Sequence, residues 1–127
     1  MATFKATLDH TISLDDSVIV VTWSNLAASG DIGDTQSLPA WADKTFIVAG
    51  TFTGTPTVVI EGSNNGIDWV TLSNRQGTAM SFTALGMNTS QDKPVYVRPR
   101  LTAGTGGAAV VVSCACHRSD LPGMNLT

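Results

Sequence analysis

The sequence predicts an all-β domain, a two-sheet antiparallel β-sandwich with either jelly-roll-like or immunoglobulin-like topology. Three observations carry this. Short runs of β-branched and aromatic residues recur along the whole chain, Gly, Asn, Asp and Pro punctuate them, and no stretch shows the apolar spacing of a helix. The clearest unit lies at residues 57–72, TVVIEGSNNGIDWVTL. Two β-forming runs, 57–61 and 68–72, flank a turn in which Asn65 and Gly66 tolerate positive φ, so the runs pair as a hairpin.

The other elements follow in order. Residues 4–14 alternate Phe4, Ala6, Leu8, His10, Ile12 and Leu14 with Lys5, Thr7, Asp9, Thr11 and Ser13. Period two predicts an extended segment with one covered face, either a first strand or an arm lying on a neighbouring subunit. Residues 17–24, SVIVVTWS, are nearly continuous in β-branched side chains and read as a strand buried on both faces. Residues 25–42 form the longest irregular part, broken by Gly30, Gly33 and Pro39, with Leu38 and Trp41 able to tack it to the core. A loop of that length is usually functional or an interface element.

A strand follows at 44–52, with Phe46, Val48 and Phe52 on one side, and 54–56 turns into the hairpin. After it come a short strand at 79–83 bearing Met80 and Phe82, and a polar connection at 86–93. Residues 94–101, PVYVRPRL, form a strand that Pro99 should confine to an edge or a bulge. Small and β-branched residues at 108–117 read as a central strand, and 118–127 is a tail without a signal of its own. The whole chain, 1–127, reads as one domain of roughly eight or nine strands.

Composition narrows the function. Charged residues make up 13% of the chain, against about 25% in ordinary globular proteins. That low share points to a surface meant for contact with protein. A net charge of −3 without any basic run argues against nucleic acid as partner. No run of about 18 apolar residues suggests a membrane span, and MATFKATLDH has no apolar core of a secretion signal. Folding in a reducing cytoplasm is therefore expected, which suits Cys114 and Cys116 as buried thiols; two apart on a strand, they share one face.

Catalytic chemistry is not expected. Glu61, the only glutamate, sits beside the hairpin turn and reads as solvated, and there is no nucleophile elbow, phosphate loop or paired histidine motif. His10 reads as a partly covered structural histidine. His117 should point away from Cys114 and Cys116, so the three do not close a metal tetrahedron. Asp31 and Asp34 read as turn formers, since calcium needs about six to eight oxygens. No metal or other cofactor is expected. Trp69 could offer a ring to a sugar, though aromatic residues in small sandwiches are mostly core or interface anchors. Arg98 and Arg100 share a strand face with Tyr96 and suit either bidentate contact with a partner's carboxylates or the guarding of an edge.

The order of several short phrases resembles that of small β-sandwich structural proteins of tailed bacteriophages. A Trp in an early strand (Trp23) precedes a Gly-Asp loop (Gly33, Asp34), then A-D-K (Ala42, Asp43, Lys44) and G-T-F (Gly50, Thr51, Phe52). The hairpin phrase runs from Gly62 to Gly66 with Trp69 after it, and V-R-P (Val97, Arg98, Pro99) precedes a Gly-rich turn and last strand. Such proteins are similar to capsid decoration, or cement, proteins. The hairpin phrase also resembles discoidin-type carbohydrate-binding sandwiches, which have Asp where this chain has Asn65.

The phage resemblance implies a virion protein, made in the host cytoplasm, that binds the outside of the head and stabilises it. Its partners would be the major capsid protein and neighbouring copies of itself, with a dimer or trimer compatible with that role. A tail or baseplate component and a carbohydrate- or cell-surface-binding module are the alternatives. The expected contact residues are Phe4, Leu8 and Ile12 at one terminus and Leu121, Met124 and Leu126 at the other. Leu38 with Trp41 in the long loop, and Arg98 with Arg100, follow.

Overall fold

In a computed structural model, residues 2–15 and 17–118 are described. Among them the chain forms β1 (Thr3–Phe4), β2 (Ala6–Asp9), β3 (Val18–Leu26), β4 (Ile32–Gly33), β5 (Asp43–Thr51) and β6 (Thr57–Ser63). It continues through β7 (Val70–Thr71), β8 (Ser81–Phe82), β9 (Gly86–Thr89), β10 (Tyr96–Ala103) and β11 (Ala109–His117). One sheet has the order β1-β4-β10-β6-β7, with β8 also on β6; the other is β2-β3-β11-β5-β9. From β3 to β6 successive strands alternate between the sheets, and β9 to β11 do so again. This is the double Greek key of a jelly roll, so an immunoglobulin-like path is set aside.

The core lies between the sheets. Ile19, Val21 and Trp23 of β3 meet Val58 and Ile60 of β6, Phe46 and Val48 of β5, and Val110, Val112 and Cys114 of β11, all essentially without exposure. Trp23 keeps its indole N–H satisfied by donating to the Asp34 carbonyl at 2.9 Å. Gly33 is required beside it: a Cβ there would run into the Trp23 ring and come within 2.7 Å of Pro99 Cδ.

The hairpin forms as expected, with Glu61 opposite Thr71 and Gly62 opposite Val70. Its turn is held by side chains. Ser63 Oγ accepts the Gly66 N–H at 2.8 Å, Asn65 Oδ1 accepts those of Ile67 and Asp68 at 2.8 and 2.9 Å, and Gly66 takes φ 74°. The central strand at 108–117 is also found, as β11 between β3 and β5.

Several expectations are corrected. The period-two segment at 4–14 is not one strand. It passes from one sheet to the other between β1 and β2, then ends where Asp9 Oδ1 accepts the Thr11 N–H at 2.8 Å and turns the chain. Strand β3 is buried on one face only: Ile19, Val21 and Trp23 face the core, while Val18, Val20 and Thr22 on the outside of the sheet are only partly covered among the described residues. The connection at 86–93 contains β9, which pairs with β5 from Thr45 to Val48. Main-chain bonds hold it, and its polar side chains carry no strand signal.

Pro99 lies in β10, an inner strand. Its neighbours Val97 and Leu101 donate their N–H groups to Gln36 and Asp31 on the β4 side. The missing donor of Pro99 therefore faces the stretch between these two bonds, where the short β4 ladder is interrupted, so it leaves no gap in the β6 ladder.

Candidate functional site

The outer face of the five-stranded sheet follows from register. In one row across it stand Thr7, Thr22, Ser113, Ile47 and Met87; in the next, Asp9, Val20, Ala115, Thr45 and Thr89. Val111 stands opposite Ala49 on one side of these rows, and on the other His117 lies between Val18 and Asp43. Ile47 is 38% exposed and Met87 63%. Thr45 and Thr89 share a hydroxyl hydrogen bond of 2.9 Å. The formal charges of these rows sit at their margin: Asp9 on edge strand β2 and Asp43 at one end. That end also carries an open depression of about 420 Å³ between Val18, Thr45, Arg75, His117 and Arg118.

Several expected contact residues converge on the same end of the sandwich. The β2–β3 connection carries Ile12, 54% exposed, and Leu14, fully exposed. Leu8 precedes them on β2, where the edge leaves it 39% exposed. Trp41 enters β5 there, and Arg118, whose N–H donates to Ser17 O at 2.8 Å, leaves β11 with its guanidinium 5.4 Å from the Trp41 ring.

Leu38 and Trp41 pack against the core, and their carbonyls accept the Lys44 ammonium at 3.1 and 2.8 Å. Burial pulls the Lys44 pKa down, partly opposed by the neighbouring thiols of Cys116 and Cys114. Those thiols are free, face inward with Sγ atoms 3.4 Å apart, and burial pushes Cys114 well up. His117 points outward, as expected. His10 is exposed rather than partly covered, because it falls in the turn after β2.

Phe4 is not a free margin. It sits opposite Gly33 in a parallel pair and packs against the core. Asp31 and Asp34 hold that segment. Asp31 accepts the N–H groups of Ala2, Ala27 and Ala28, and Asp34 accepts that of Ala6. Burial raises the Asp31 pKa, but these three bonds outweigh it and hold the carboxyl below its ordinary value. Leu121, Met124 and Leu126 lie outside the described residues.

The outer face of the six-stranded sheet is different. Glu61 is 4% exposed, not solvated. Arg98, its partner across the β6–β10 ladder, donates Nε to Oε1 at 3.1 Å, and Arg100 donates Nε to Oε2 at 2.9 Å. The Arg98 guanidinium also covers the Trp69 ring at 3.9 Å. The strip expected to await a partner's carboxylate is thus engaged by a carboxylate of its own chain. Sequence reading missed this because Glu61 meets the arginines only once β6 and β10 pair. It also passed over Ile67, Val70 and Leu85, each more than half exposed. Val70 borders a second open depression of about 410 Å³ between the hairpin and residues 92–94.

These features define a small jelly-roll sandwich whose two outer faces differ in chemistry. No family model and no curated protein matches the chain. Among solved structures it is similar to the SPBc2 prophage-derived protein YomS, at a TM-score of 0.51 and 13% identity, covering 84% of this chain and 98% of that one. A cupin domain from Bordetella pertussis Tohama I aligns at a TM-score of 0.45 and 13% identity, covering 94% and 99%. The likeness to YomS is one of fold.

Proposed function

We propose that this protein is a structural component of a tailed-phage virion, a capsid decoration protein that binds the outside of the assembled head and stabilises it. The observation that carries the reading is the group of exposed apolar side chains at one end of the sandwich, Leu8, Ile12 and Leu14. Water-exposed leucine and isoleucine in one loop gain free energy when a neighbouring subunit covers them. Many copies on a symmetric shell then add modest contributions. A prophage-derived protein of the same fold is consistent with this origin.

In this reading the partners are the major capsid protein and neighbouring copies. Nucleic acid, membrane, cofactor and catalysis play no part, and the location is the virion surface. A glycan-binding role fits less well, because Arg98 occupies a ring face of Trp69 that a sugar would need.

The test is co-sedimentation of purified protein with undecorated heads. Binding at micromolar concentration is expected, with loss in the doubly substituted Ile12→Asp, Leu14→Asp protein. Wild-type protein that stays in the supernatant would sink the reading.

A further inference from the structure

The outer face of the five-stranded sheet is unlike the rest of the surface. Across its middle strands Val20, Ile47 and Val111 alternate with Thr22 and Ser113, and Met87 continues the row on edge strand β9. The formal charges stand at the rim, Asp9 beside Val20 and Arg75 near Met87 and Thr89. We propose that this face binds a second copy of this chain, sheet against sheet, in an isologous dimer. The proposal deepens the reading above, which counts neighbouring copies among the partners, and the two fail separately.

Charge favours a copy as the occupant. The chain carries a net charge of −3, so two copies repel wherever their charged surfaces meet. This face lets them meet with few opposed like charges, since its acids, Asp9 and Asp43, and its base, Arg75, stand at the margin. Relief favours it too. Ala115 and Ser113 make a shallow stretch of the middle strand between Val111 and His117, with Ile47 and Met87 beside it, so two such faces can interdigitate as aligned sheets do, about 10 Å apart.

Area is sufficient. Five strands at a spacing of about 4.8 Å, with about seven residues each rising about 3.3 Å, give a face of roughly 550 Å². Two copies sealed together over the whole face, its charged rim included, bury on the order of 1,100 Å², at the lower bound of roughly 1,000 Å² for a specific interface. A self-complementary patch repeated on both partners is what a two-fold dimer requires.

Sedimentation velocity and light scattering of the full chain test this. The expected result is a mass of two chains at micromolar concentration. Ser113→Asp and Thr22→Lys, each placing a charge at the centre of the face, should each raise the dimer dissociation constant about 100-fold or more. Unchanged melting and near-UV circular dichroism would show that the monomer fold survives. Ser81→Lys, on the outside of the other sheet, should leave the mass at two chains.

A wild-type monomer up to about 100 µM, a trimer, or a dimer indifferent to both central substitutions would overturn the proposal. So would protection of this face from labelling only on heads, which would make the capsid subunit its occupant. A dimer that does not co-sediment with heads would leave this proposal standing and remove decoration; a monomer that does would do the reverse.

Discussion

On the outside of the six-stranded sheet Glu61 is 4% exposed beneath Arg98 and Arg100, and Arg98 lies on Trp69. On the outside of the five-stranded sheet Ile47 is 38% and Met87 63% exposed, and Val111 and Ser113 are partly exposed among the described residues. The first face has its polar groups paired and its apolar residue Val59 covered to 8% exposure. The second carries its charges at the rim, where Asp43 pairs with Lys93 and Arg75 borders Thr45 and Thr89, and only short or apolar side chains stand between. A sheet face finished by its own side chains contributes to folding. An unfinished one leaves apolar burial available for association.

Substitutions on the two faces should therefore separate stability from assembly. The largest effect is expected from Glu61→Ala, which strands two half-covered guanidinium groups. Chemical denaturation should show a loss of about 2–4 kcal/mol, while Glu61→Leu combined with Arg98→Met and Arg100→Met should recover most of it. A loss below 0.5 kcal/mol for Glu61→Ala would mean the cluster is ornamental and the two faces are alike.

Next comes Asp31→Asn, which weakens the carboxylate holding Ala2, Ala27 and Ala28 and should cost about 1–3 kcal/mol. Its folded pKa lies below the ordinary aspartate value of 3.8. The carboxylate's contribution is thus fully present above 3.8 and lost as pH falls through the lower folded value. An acid titration of the melting temperature should show a shallower decline in the variant than in the wild type across that range.

Lys93→Ala removes the exposed 2.8 Å pair with Asp43 and should cost about 0.2–1 kcal/mol, less at high salt. Smallest for folding is Thr22→Lys, expected within about 0.5 kcal/mol of wild type by denaturation of the monomer. That is the sharpest form of the contrast: the variant that hardly alters stability should be among those that most reduce self-association.

Much of the fold was legible in the chain. The hairpin at 57–72 could be read because its turn residues act locally, Ser63 and Asn65 binding main-chain groups within five residues. β11 could be read because β-branched and small residues suit an inner strand. β9 could not, since Gly86, Asn88 and Thr89 signal a loop while β5 supplies the bonds that make them a strand. Of the candidate site, the exposure of Leu8 and Ile12 was legible from apolar residues placed outside the main series of strands. Phe4 was misread as equivalent to them, because its cover comes from the core through the β4 pairing.

What the residues decided alone was β structure throughout, the positions of the tight turns, and which side chains share a face within one strand; period two and turn chemistry are properties of neighbours in sequence. What only the tertiary structure decided was which faces meet. Pairing β6 with β10 buried Glu61 between two arginines, an interrupted β4 gave Pro99 a harmless place, and the order β2-β3-β11-β5-β9 gathered uncharged side chains from five separate segments onto one surface. Side chains distant in sequence become neighbours only through strand order, so their combined chemistry has no local signature.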